Sequence, residues 1–82
     1  MADTSEPDYQ QVLTHLRNGD WEAAHVMVQE EESATGCWAH AIVHLMEGDL
    51  GNAGYWYRRA GRPAAGLDTI DGEITAFAES LS

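Results

Sequence analysis

The sequence predicts an all-α domain of two tandem antiparallel helical hairpins, offset by 29 residues, closed by a C-terminal capping helix. Three observations predict it. The segment His15-Leu16-Arg17-Asn18-Gly19-Asp20 recurs as His44-Leu45-Met46-Glu47-Gly48-Asp49. The same offset pairs Tyr9 with Trp38, Leu13 with Ile42, Ala24 with Ala53 and Val28 with Tyr57. Within each copy the apolar residues fall at i, i+3, i+4 and i+7, the spacing of one helical face.

Hairpin 1 covers about residues 6–31. Its first helix carries Tyr9, Val12, Leu13 and Leu16 on one stripe, with Pro7 suited to a first-turn position and Ser5 to the N-cap. Gly19 ends that helix, because glycine takes the left-handed conformation without a Cβ penalty. Asp20 caps the next helix, whose stripe is Trp21, Ala24, His25 and Val28. Hairpin 2, about residues 35–61, repeats the plan. Trp38, Ala41, Ile42 and Leu45 form its first stripe, Gly48 and Asp49 its turn, and Leu50, Ala53, Gly54 and Tyr57 its second stripe. Gly61-Arg62-Pro63 stops the fourth helix. The capping helix, about residues 67–81, places Leu67, Ile70, Ile74, Phe77 and Leu81 at helical spacing.

Length and charge limit the function classes. A chain of 82 residues is one domain, and at that size folding buries only about 60 % of the unfolded surface. Three Trp, three Tyr and one Phe are a generous apolar supply, which favours self-association. The net charge of −10 argues against a nucleic-acid or anionic-membrane partner, since binding either one needs clustered Lys and Arg facing phosphate. The chain has no Lys, and three of its four Arg are Arg58, Arg59 and Arg62. The single cysteine, Cys37, forbids an intrachain disulfide. Met1–Glu6 lacks a basic segment and an apolar core, so no signal peptide is expected. No apolar run reaches the roughly 18–20 residues of a membrane span, and a cytoplasmic location is expected.

The order of aromatic, small or aliphatic pair, Leu, Gly-Asp, Ala and large apolar residue over residues 8–61 resembles the tetratricopeptide repeat. The period of 29 is shorter than the family's value of about 34. That resemblance implies stacked hairpins and a protein-binding role. The segment His40–Gly61 also resembles a motif, His-Ala-x-x-His-x-x-Glu-Gly-Asp-x-x-Asn-Ala-x-Tyr-Trp-Tyr-Arg-Arg-Ala-Gly, of a family of small helical proteins of uncharacterised function. It implies kinship without an activity.

Three constellations could carry chemistry. Cys37, His40, His44 and Glu47 share one side of the third helix, away from Trp38, Ile42 and Leu45. His40 and His44 at i, i+4 have the spacing of a helical metal-ligand pair, and Glu47, Cys37, His15, His25 or a neighbouring acid would supply a third ligand. The ordinary reading is that these histidines hydrogen-bond across a helix contact or lie in solvent, so no cofactor and no dedicated metal centre are expected. Tyr55-Trp56-Tyr57 spread over about 200° of the fourth helix. Tyr57 then belongs to the core stripe, while Tyr55 and Trp56 pack between hairpins or meet a partner. The matching Val26 and Met27 make the second helix of each hairpin apolar on more than one side. Arg58, Arg59 and Arg62 are expected to pair with surrounding carboxylates, or Arg59 with Asn52 and Tyr55 to clamp an anionic group.

Cys37 and His40 at i, i+3 are the only thiol–imidazole pair and lack a third orienting group, and there is no phosphate loop or zincin-type motif, so an enzyme is not expected. The sequence therefore points to a protein-interaction or assembly module whose surface comprises Asn52, Tyr55, Trp56, Arg59, His40 and His44. Its partner would be a protein, a second copy of the chain included. The alternative is a small-ligand or metal-binding domain using His40, His44 and Glu47.

Overall fold

A computed structural model describes residues 7–82. The expected Ser5 cap and the Met1–Glu6 segment lie outside the described residues. The helices are α1 (Tyr9–Arg17), α2 (Trp21–Val28), α3 (Ala34–Glu47), α4 (Leu50–Ala60) and α5 (Ile70–Ser80), and a 3₁₀ turn, Leu67–Thr69, precedes α5. Among the described residues no helix is long and apolar enough to cross a membrane.

The chain ends its helices as the repeat requires. Gly19 and Gly48 have φ of 75° and 86°. The following amides close the turns, with Asp20 N–H donating to the His15 carbonyl and Asp49 N–H to that of His44, both at 2.9 Å. Asp20 and Asp49 then cap α2 and α4, accepting from the amides of Ala23 and Asn52. At the start of α1 the cap is Asp8, whose carboxylate accepts from Gln10 and Gln11. Pro7 precedes that cap and is not in the first turn.

Helices α1 and α2 pack as one hairpin and α3 and α4 as the other, joined through α2 against α3. Helix α5 folds back onto α1 and α3. Helix α3 is thus covered by α2, α4 and α5, and every residue from Gly36 to Val43 is buried. The approach at its start is close: a Cβ on Gly36 would collide with the Glu31 side chain.

The core holds Val12, Leu13, Leu16, Ala24, Val28, Trp38, Ile42, Leu45, Tyr57 and Phe77. One polar node ties α5 to hairpin 2. The Trp38 indole N–H donates to Glu73 Oε1 at 3.0 Å, and the Tyr57 hydroxyl donates to the same oxygen at 2.8 Å. Phe77 adds an edge contact to Trp38 at 5.2 Å.

Some expected core positions fall outside it. Leu50 is 51 % exposed, because it occupies the first position of α4, beyond the end of α3's cover. Val26 is 67 % exposed, so α2 buries one face only. Leu67 lies in the 3₁₀ turn and is exposed, and the apolar stripe of α5 begins at Ile70.

Two glycines separate conformational from helix-propensity effects. A Cβ meets nothing at either Gly48 or Gly72, but only Gly48 has positive φ. Gly48→Ala is expected to cost about 1–2 kcal/mol, and Gly72→Ala, inside α5, to gain about 0.5–1 kcal/mol. Opposite shifts in thermal midpoint, of some 4–8 °C per kcal/mol, are the check.

Candidate functional site

The residues with unspent chemistry meet where α2, α3 and α4 adjoin. His40 and His44 project from one side of α3. His25 reaches them from α2, whose stripe of Ala24 and Val28 is pressed onto α3. The three histidines each offer a ring nitrogen within 4.8 Å of the others. The ring of His25 meets His40 edge-on at 4.8 Å and His44 at 5.4 Å, and the rings of His40 and His44 stack at 4.9 Å. Trp56 of α4 lies flat on His40, with centroids 3.9 Å apart and planes 13° from parallel.

His40 is the most constrained member. It is 4 % exposed, and its Nδ1 is buried with no hydrogen-bond partner. Burial, the neighbouring His25 and His44, and the Arg59 charge together push its pKa down to about 4. The ring is therefore neutral at ordinary pH, the form in which imidazole donates to a metal.

His44 is half-buried, and its Nδ1 lies 2.7 Å from Glu47 Oε1. The carboxylate can only accept, so Nδ1 carries the proton and Nε2 holds the free lone pair. Asp49 lies near His44 and Glu47, but it is committed to the α4 cap, accepting also from the Asn52 side chain at 2.8 Å. That bond holds the Asp49 pKa below its ordinary value.

The remaining candidates separate from this centre. Cys37 points its thiol at the Glu31 carbonyl, 3.8 Å away, and burial raises its pKa, which leaves it unreactive. His40, buried, belongs to no interaction surface, and Trp56 is half-covered. Asn52 is engaged at the cap, where its side chain donates to Asp49, and no hydrogen bond joins it to Arg59 among the described residues. Arg59 donates instead to the Tyr55 hydroxyl at 3.2 Å and lies 5.0 Å above the Trp56 ring.

The arginine–carboxylate pairs expected from the sequence are absent among the described residues, where the one contact of that kind is the His44–Glu47 hydrogen bond. Arg62 stacks 3.5 Å over Trp38. The ring faces of buried Trp38 and half-buried Trp56 attract the guanidinium groups. Glu30, Glu31 and Glu32 face Arg59 only across an open cleft of about 300 Å³.

The sequence spacing puts His40, His44 and Glu47 on one face and offers His25 as one of several possible third ligands. The signal for His25 is its position between Ala24 and Val28, a polar residue inside an apolar stripe. Glu73 was missed. It sits beside Ile70, Ile74 and Phe77 on α5, and the same kind of interruption marks it.

Comparison with protein-family models, curated proteins and solved structures gives no match to this chain.

The depressed His40 pKa makes stability pH-dependent in a definite direction. As pH falls, the unfolded chain takes up the proton first, near its ordinary pKa of 6.5. Stability present above about pH 6.5 is therefore lost progressively down to about pH 4, by roughly 3 kcal/mol in total. Urea unfolding of wild type and His40→Phe, which keeps a ring on Trp56 but cannot titrate, isolates this contribution. The difference between the two stabilities is expected to change across that window and stay level above it.

Proposed function

We propose that this protein is a small metal-binding domain, with a transition-metal ion held by His25, His40 and His44. One observation carries the reading: three histidines from two hairpins offer nitrogens within 4.8 Å of one another, and one of these rings is buried with an unsatisfied Nδ1. A buried polar atom without a partner is uncommon in a folded protein, and a metal's demand for lone pairs accounts for it. Imidazole donors suit zinc, copper, nickel and cobalt, whereas calcium and magnesium need oxygen ligands.

Isothermal titration of the metal-free protein with zinc, nickel and copper tests this. One equivalent is expected to bind, and the thermal midpoint to rise, since ligand at 100 times its Kd adds about 2.7 kcal/mol. His25→Ala and His44→Ala are each expected to weaken binding at least tenfold. No heat and no change in midpoint with any of the three metals would contradict the reading.

A second reading rests on a separate observation. Val26 on α2 and Leu50 on α4 leave more than half their surface exposed, and Tyr55, also on α4, is exposed as well. In a hairpin frame resembling the tetratricopeptide repeat, such side chains serve a protein partner or a second copy of the chain. Light scattering is expected to show a dimeric mass as concentration rises from micromolar to millimolar. A monomeric mass throughout would remove self-association, and Val26→Glu with Leu50→Glu is expected to abolish any dimer seen.

A further inference from the structure

Three nitrogens do not complete the coordination shell of a transition metal. Closed structural sites use four protein ligands, and sites with three keep a position for water or another ligand. Among the described residues His25, His40 and His44 form the only all-histidine group; Glu47 and Asp49 form a second group that shares only His44 with it, and there Glu47 is taken up by His44 Nδ1 and Asp49 by the α4 cap. Cys37, nearest in sequence, is turned to the Glu31 carbonyl. Trp56 covers one face of His40 and so blocks approach from α4. The opposite side is less enclosed. His25 and His44 are half-buried, with 13 % of the His44 side chain exposed, and Glu47 beside it reaches solvent.

The His44–Glu47 pair has the form of an outer-shell contact. Metal-bound histidines commonly donate their second ring N–H to a carboxylate, which fixes the tautomer and the ring orientation and raises the basicity of the ligating nitrogen. Here Nδ1–H donates to Glu47 Oε1 at 2.7 Å, and Nε2 is the nitrogen left to coordinate.

Resting on the metal-binding reading, we propose that the centre is a three-nitrogen site with one position open to a small exogenous ligand. Glu47 is its positioning residue, holding His44 with Nε2 as donor. The open position faces the solvent side of His44, where water or a small anion binds the metal directly. Such a centre is built for ligand exchange at the metal, which a closed structural site does not support.

Cobalt(II), whose visible absorption reports coordination, is the probe, used with the full chain. The wild-type protein is expected to bind one equivalent, and azide added to the cobalt-loaded protein is expected to change the intensity and position of its visible bands. Glu47→Gln is expected to bind cobalt 10- to 100-fold more weakly while keeping the apo-protein's thermal midpoint. Cobalt affinity in Glu47→Gln equal to wild type overturns this inference, as does a spectrum unmoved by saturating azide; both leave metal binding itself standing. Failure of cobalt, zinc, nickel and copper to bind at all overturns this inference together with the reading beneath it.

Discussion

The burial of α3 on every side is the constraint from which the rest of the structure follows. Between Gly36 and Val43 every side chain is at least nine-tenths removed from water, so the polar atoms there depend on the protein for partners. Trp38 meets this demand through Glu73, which also takes the Tyr57 hydroxyl and thereby anchors α5 over α3. Burial and the bond to Glu73 hold the Tyr57 hydroxyl far above its ordinary pKa, so it remains a donor to that carboxylate. Among the buried side chains of α3, His40 has the atom for which no such partner is found. The exception falls where two further histidines converge, and that coincidence separates this cluster from an ordinary packed histidine.

The hairpins and the candidate centre depend on each other. His25 belongs to the first hairpin and His40 and His44 to the second, so a metal shared among them would bind α2 to α3 more firmly than packing alone. A domain of this size has a small core and a thin stability margin. Metal binding to a preformed site adds its free energy to folding, which is one route by which so short a chain gains stability without a disulfide. The stacking of Trp56 on His40 extends the link to α4, and Arg59 above Trp56 completes a column of ring and cation reaching the surface.

Much of this was legible in the sequence, and the reasons are local. Gly19, Gly48 and Gly61 announce helix ends through the backbone conformation only glycine takes freely, and Asp20 and Asp49 announce caps through a side chain one residue later. The stripes of α1 and α3 follow from periodicity. What stayed hidden depends on three-dimensional company. Leu50 has the spacing of a core residue and Val26 makes a second side of α2 apolar, but burial requires a neighbour on that side, and both stay exposed. The histidine side of α3 read as peripheral because it lies away from Trp38 and Leu45; α2 and α4 cover it from outside the helix's own pattern. Arg59 and Arg62 were expected to seek carboxylates in so acidic a chain. Proximity decided otherwise, since the rings of Trp56 and Trp38 are held beside them by packing and the acidic side chains are not.

On the metal-binding reading, three imidazoles from two hairpins converge on one ion. X-ray absorption at the zinc edge of the zinc-loaded protein tests it most directly. A first shell at about 2.0–2.1 Å is expected, with the multiple-scattering pattern of three imidazole rings and one further light atom. A sulfur shell near 2.3 Å, or an oxygen shell without imidazole scattering, would place the metal on Cys37 or on surface carboxylates and contradict the claim.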